Sequence, residues 1–109
     1  MALAAADGTD ESARAQFSAC LKTSIEKGTA AKIAPDGFTA FAKESCAAQQ
    51  AGFRSALIAY DVKAGWTRKK AEPDADSQIG DYLADWGDRY KAAQSSQIAK
   101  TTAAAQPVK

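Results

Sequence analysis

Apolar residues recur every three or four positions along three stretches of this 109-residue chain, the spacing of a helix that buries one face. The first stretch runs from Thr9 or Asp10 to Lys27 and places Ala13, Phe17, Cys20, Leu21, Ser24 and Ile25 on one stripe. Asp10 and Glu11 suit the positive end of its dipole, and Gly28 is the expected left-handed stop. The second stretch runs from Pro35, a natural first helical residue, to Ala64. Its stripe is Phe38, Ala42, Ser45, Cys46, Gln49, Phe53, Ala56, Leu57 and Tyr60. Such a helix would be about 45 Å long at about 1.5 Å per residue. Gly52 near its middle would permit a bend, and Gly65 would end it. The third stretch begins at Asp74 and carries Ala75, Ile79, Tyr82, Leu83, Trp86, Tyr90, Ala93 and Gln97. Thr67 is a fitting N-cap for Arg68–Glu72, but Pro73 lacks an N–H and crowds the carbonyl four residues back. The pattern therefore predicts either a short turn before Pro73 or a kink there. An all-α fold follows: a three-helix antiparallel bundle with a long second helix, whose far half packs against the third.

Composition agrees with the helical reading and limits its core. Alanine occurs 27 times; it orders in a helix without side-chain entropy loss but buries little apolar area. The aromatic and branched residues must provide most of the burial. A chain of this length supports one domain, expected over residues 9–99. Residues 1–8 read as a signal-peptide remnant or a disordered tail, since the Ala-rich start fits the small-residue pattern of a cleavage site. Residues 100–109 read as a frayed polar tail. With 14 basic and 13 acidic residues the net charge is +1, without the basic excess of a dedicated nucleic-acid binder, so no nucleic acid is expected. No stretch approaches the roughly 18–20 apolar residues of a membrane span.

The two cysteines sharpen the topology. Cys20 lies about 12 Å before the end of the first predicted helix and Cys46 about 16 Å after the start of the second, at about 1.5 Å per residue. An antiparallel hairpin brings them to similar heights on facing stripes. A Cys20–Cys46 disulfide is the expected state, with two buried free thiols as the alternative. The crosslink would contribute roughly 3–4 kcal/mol by the chain-entropy argument. Together with the Ala-rich start it implies a periplasmic or secreted protein.

Histidine is absent. That removes the commonest general base, the usual Ser and Cys triads, and most zinc and haem sites; phosphate-binding glycine loops are missing too. No cofactor is expected. Three constellations remain. Asp81, Asp85 and Asp88 fall on one helix face at i, i+4 and i+7, either a solvated face with Arg89 pairing Asp85 or a weak divalent-cation site. Arg68, Lys69 and Lys70 beside Trp66 form a basic, aromatic turn, either solvated with local ion pairs or able to contact an anionic partner. Tyr82, Trp86 and Tyr90 form an aromatic ladder, which is core or, if left uncovered, a dimer or ligand surface.

Cys20, Pro35-Asp36-Gly37-Phe38, Cys46, Ala59-Tyr60-Asp61-Val62-Lys63 and the run from Ala71 to Asp81-Tyr82 resemble a group of small exported bacterial helical proteins of unknown function. The resemblance implies export and carries no activity. The expected function is that of a non-enzymatic interaction or stress-type module, monomeric or homodimeric, with an unidentified protein partner. Its candidate surface is Trp66, Arg68, Lys69, Lys70, Tyr82, Trp86 and Tyr90. A small-molecule or divalent-metal carrier is the alternative, and an enzyme working with carboxylates alone would require a cleft with two converging Asp residues.

Overall fold

Among the described residues, 10–105 for the backbone and 11–96 for the side chains, a computed structural model shows helices and no strand. The order is α1 (Asp10–Ala30), a 3-10 turn (Pro35–Gly37), α2 (Phe38–Ser45), α3 (Ala47–Lys63) and α4 (Arg68–Ala105). The expectations for residues 1–8, 106–109 and the side chain of Gln97 lie outside the described residues.

Four helices stand where the apolar spacing predicts three. The long second helix is divided at Cys46, where φ −114° and ψ 27° leave the helical region. The hydrogen-bond ladder nevertheless crosses the break: the Cys46 N–H bonds the Ala42 carbonyl and the Gln50 N–H bonds the Cys46 carbonyl, both at 2.8 Å. Gly52, the expected bend, sits exposed inside α3. The direction changes instead at the crosslinked residue. Cys46 is fully buried and bonded to Cys20, with Cα atoms 5.9 Å apart, so the predicted disulfide is present.

α1 also departs from expectation at its end. Gly28 lies inside the helix, buried, because the ring of Tyr90 occupies the space a side chain there would take: an added Cβ would come within 3.2 Å of it. The stop falls at Lys32, which adopts φ 59°. The Ile33 N–H bonds the Gly28 carbonyl at 2.9 Å and the Lys32 N–H bonds the Thr29 carbonyl at 3.1 Å, the hydrogen-bond pair of a Schellman C-cap. α3 closes with the same pattern. Gly65 has φ 108°, the Trp66 N–H bonds the Asp61 carbonyl at 2.9 Å, and the Gly65 N–H bonds the Val62 carbonyl at 3.0 Å. Here the predicted glycine stop is the observed one.

Pro73 does not end or delay α4. The helix begins at Arg68, capped by Thr67, whose hydroxyl accepts the Lys70 N–H at 3.2 Å, and it runs through Pro73 for 38 residues, about 57 Å at about 1.5 Å per residue. Ala71 and Ala75 on either side of the proline are fully buried, so packing holds the segment helical despite the lost hydrogen bond. Residues 100–105 continue the helix past its expected end.

The core joins Phe17 and Leu21 of α1, Phe38 and Ala42 of α2, Phe53, Leu57 and Ile58 of α3, and Ile79, Leu83 and Tyr90 of α4. Each fully buried large side chain contributes about 1.5–3 kcal/mol. The predicted stripes hold for most positions, but Ser45, Tyr60 and Ala93 are exposed. α3 packs against both α1 and α4, so the far half of the divided helix finds the partner expected of it.

Candidate functional site

The aromatic ladder is mostly interior. Tyr90 is fully buried and stacked on Phe38, ring centroids 4.4 Å apart, and its hydroxyl donates to the Ile33 carbonyl. Burial raises its pKa above the ordinary tyrosine value, because the anion would lose more in leaving water than it regains from the nearby Thr29 hydroxyl, whose hydrogen bond opposes the shift. Tyr82 is half-buried between Phe17 and Phe53, at centroid distances of 6.0 and 5.3 Å. Trp86, also half-buried, carries the Arg89 guanidinium 4.3 Å over its ring. Tyr90 therefore offers nothing to a partner, and Tyr82 and Trp86 offer only edges.

Those edges line a shallow groove of about 420 Å³ with Ser18, Asp81, Asp85 and Arg89. Arg89 binds Asp85 at 3.1 Å while stacking on Trp86, so an internal cation already holds the aromatic face. Asp88 does not join Asp81 and Asp85. It lines a separate depression with Pro35, Asp36, Thr39 and Lys91. All three residues are exposed, and among the described residues no group of three or more acidic or cysteine side chains is placed to hold a metal ion. Of the two readings of Asp81, Asp85 and Asp88, the structure shows the Arg89–Asp85 pair expected of a solvated face.

The basic turn has another character. Tyr60 and Val62 in the last turn of α3 and Trp66 just after it are the exposed large hydrophobic residues among the described residues, at 62, 42 and 37 % of full exposure. Lys70 reaches back over Trp66 with its ammonium 4.8 Å from the ring centroid. Arg68 pairs with Glu72 at 3.1 Å, and Lys69 is exposed. One turn further along α4, Asp76 receives a two-point contact from Arg54 of α3 at 2.7 and 3.3 Å, which holds its pKa below the usual carboxylate range. Asp74 accepts the Gln78 amide at 2.9 Å.

Of the candidate surface, the structure thus brings Trp66, Arg68, Lys69 and Lys70 together at one corner and leaves Tyr82, Trp86 and Tyr90 elsewhere on α4. Sequence reasoning missed Tyr60 and Val62. Helical spacing carried Tyr60 inward from Leu57, yet it falls in the last turn of α3, where that stripe runs beyond the core. Val62 signalled its exposure only by lying nearly opposite Tyr60 on the helix. No protein-family model, no curated protein and no solved structure matches this chain.

Proposed function

We propose that this chain is a non-enzymatic docking module whose contact point is the α3–α4 corner. The carrying observation is that its exposed large hydrophobic residues, Tyr60, Val62 and Trp66, gather within seven consecutive positions, whereas the other aromatic side chains are packed or half-covered. Scattered surface hydrophobics are ordinary; exposed hydrophobics this close together in the chain, with Lys63, Arg68, Lys69 and Lys70 beside them, have the composition of a recognition surface. The disulfide supports a working location outside the reducing cytosol, periplasmic or secreted. Bait protein with and without the substitutions Tyr60→Ser and Trp66→Ser, presented to extract of the source cells, tests the reading. Retention of one component by the parent chain and its loss by the variant is expected; identical retention by both would remove the corner as the contact point.

A second reading rests on the groove of Asp81, Tyr82, Asp85 and Trp86, whose two carboxylates and ring edges suit a small organic cation. Such a ligand must displace Arg89 from Trp86. Calorimetric titration with choline, spermidine and Ca²⁺ tests it, and Arg89→Ala is expected to strengthen any heat observed. An absence of heat with all three removes the carrier reading.

A further inference from the structure

We infer that the Cys20–Cys46 crosslink is a thiol-operated switch: a small thiol opens it by attack on Cys20, and the opening lets α2 and α3 join into one helix. This goes beyond the docking reading and does not depend on it.

The crosslink is presented unevenly. Cys46 is fully buried, whereas Cys20 is half-buried and lines a shallow depression of about 370 Å³ with Gln16, Ala19, Thr23 and Gln49. None of these side chains is charged, so an anionic thiolate meets no like charge among them. Disulfide exchange is a displacement at one sulfur, and access decides which sulfur is attacked. The incoming thiolate bonds to Cys20 Sγ, and the electron pair of the broken S–S bond leaves on Cys46, which then takes up a proton. A second thiolate attacks the added sulfur of the mixed disulfide and releases Cys20. Two small thiols are thereby oxidised to one disulfide as the protein disulfide is reduced to two thiols.

The buried leaving sulfur has a partner at hand. Ser24 is the buried polar residue of α1. Its hydroxyl donates to the Cys20 carbonyl at 3.0 Å, and its oxygen lies 3.3 Å from Cys46 Sγ. A reduced Cys46 S–H can donate to that oxygen, so opening the bond strands no buried polar group. Cys46 is also the N-cap of the 17-residue α3, where the helix dipole favours a departing thiolate.

The moving part is the break between α2 and α3. The Cys46 N–H reaches the Ala42 carbonyl and the Gln50 N–H reaches the Cys46 carbonyl. Between those two bonds, among the described residues, the N–H groups of Ala47, Ala48 and Gln49 do not meet the carbonyls of Lys43, Glu44 and Ser45, and no side chain caps the start of α3. Residues 43–50 contain neither glycine nor proline, so local propensity favours a continuous helix. Three backbone hydrogen bonds await it. The constraint peculiar to residue 46 is its bond to α1; with that bond open, the residue can return to the helical region.

The test has two arms, both on the full chain in native buffer. Reduced glutathione is added, the reaction is stopped with acid and N-ethylmaleimide, and the adducts are mapped by peptide mass. Glutathione should occupy Cys20 at least about tenfold more than Cys46, since access selects the sulfur. Equal occupancy, or an excess on Cys46, means entry through unfolding and overturns the switch. In the second arm amide hydrogen exchange is followed by NMR. After reduction by a dithiol, the N–H groups of Ala47, Ala48 and Gln49 should exchange at least about tenfold more slowly, as newly bonded amides do. A chain carrying Cys20→Ala and Cys46→Ala should show the same protection without reductant. Unchanged exchange in both assigns the break to packing and overturns the switch. Loss of helical circular dichroism on reduction overturns it too, because a switch needs two folded states.

Discussion

The two turns of this molecule are built on the same backbone motif and filled in opposite ways. α1 and α3 each end in a Schellman cap, with one residue in the left-handed region and the next donating its N–H back to the helix. After α1 the donor is Ile33, packed against the core, and its carbonyl accepts the Tyr90 hydroxyl. After α3 the donor is Trp66, exposed and touched by Lys70. One end is closed by a fully buried aromatic residue; the other presents its aromatic residue to solvent. The hydrogen bonds are common to both, so they end the helices without deciding which end is available to a partner. What differs is whether a later helix returns a large side chain to cover the turn.

That difference predicts a large asymmetry in mutational cost. Tyr90→Ala should destabilise the fold by about 3–5 kcal/mol, the range for removing a large core aromatic, and it leaves the Ile33 carbonyl without its donor. Trp66→Ala at the open end should cost under about 1 kcal/mol, as for an exposed side chain. Urea unfolding of the two variants measures the gap, and comparable losses would mean that both ends are structural. The buried hydroxyl also gives the closed end a pH signature. Its pKa is raised in the folded state, so the unfolded chain releases this proton first. The Tyr90 contribution is complete below pH about 10 and declines as pH rises beyond it toward the folded value. Tyr90→Phe should flatten that alkaline loss relative to the parent.

Reducing the disulfide, or replacing Cys20 and Cys46 by Ser, ranks next. A crosslink spanning 26 positions contributes roughly 3–4 kcal/mol by the chain-entropy argument, a large part of the about 5–15 kcal/mol typical of a domain. Thermal melts with and without reductant should show it, while the Lys70–Trp66 contact of the open corner should be unchanged by reduction. A loss of corner-dependent binding on reduction would show the two ends to be coupled.

These two features also mark what the chain made legible. Facing apolar stripes and matched helical heights placed Cys20 opposite Cys46, and the three-to-four residue rhythm located Phe17, Leu21, Phe38, Phe53, Ile79 and Leu83 in the core. The break at Cys46 was not legible, because no proline or glycine marks it and the backbone ladder continues across it; only the crosslink to α1 distinguishes that position. Pro73 misled in the opposite sense, since buried Ala71 and Ala75 hold α4 helical through it. At the candidate site, Trp66 with Arg68, Lys69 and Lys70 could be read from adjacency alone. Tyr60 could not, because periodicity reports which face a residue occupies, not how far the neighbouring helix extends to cover it. Asp88 failed for a related reason: a shared helix face is broad enough to lean into two different grooves.

Two helix glycines carry the comparison to a smaller scale. Gly28→Ala adds a methyl 3.2 Å from the Tyr90 ring, which is fully buried and held at its hydroxyl, so overpacking of about 1–3 kcal/mol should outweigh the roughly 1 kcal/mol gained in helix propensity. Gly52→Ala meets nothing within 4 Å and should stabilise by about 0.5–1 kcal/mol. Opposite signs in chemical denaturation are expected, and a stabilising Gly28→Ala would show that Tyr90 seats more loosely than its contacts imply.

The smallest effects lie in the caps themselves. Lys32 holds φ 59°, a region where a side chain places its Cβ against the following carbonyl at a cost of about 1–2 kcal/mol. Gly65 holds φ 108° with no such contact. Lys32→Gly should therefore raise stability at the closed end, by less than about 1 kcal/mol because glycine also loses more freedom on folding. Gly65→Ala should lower it by about 1 kcal/mol at the open end, where the introduced Cβ is strained despite having space. The pair exchanges the conformational preferences of the two turns without touching the side chains that fill them. If Gly65→Ala also weakens corner-dependent binding while the Lys32→Gly variant leaves it unchanged, the left-handed cap positions Trp66 for its partner; if neither changes binding, the caps serve only to end the helices.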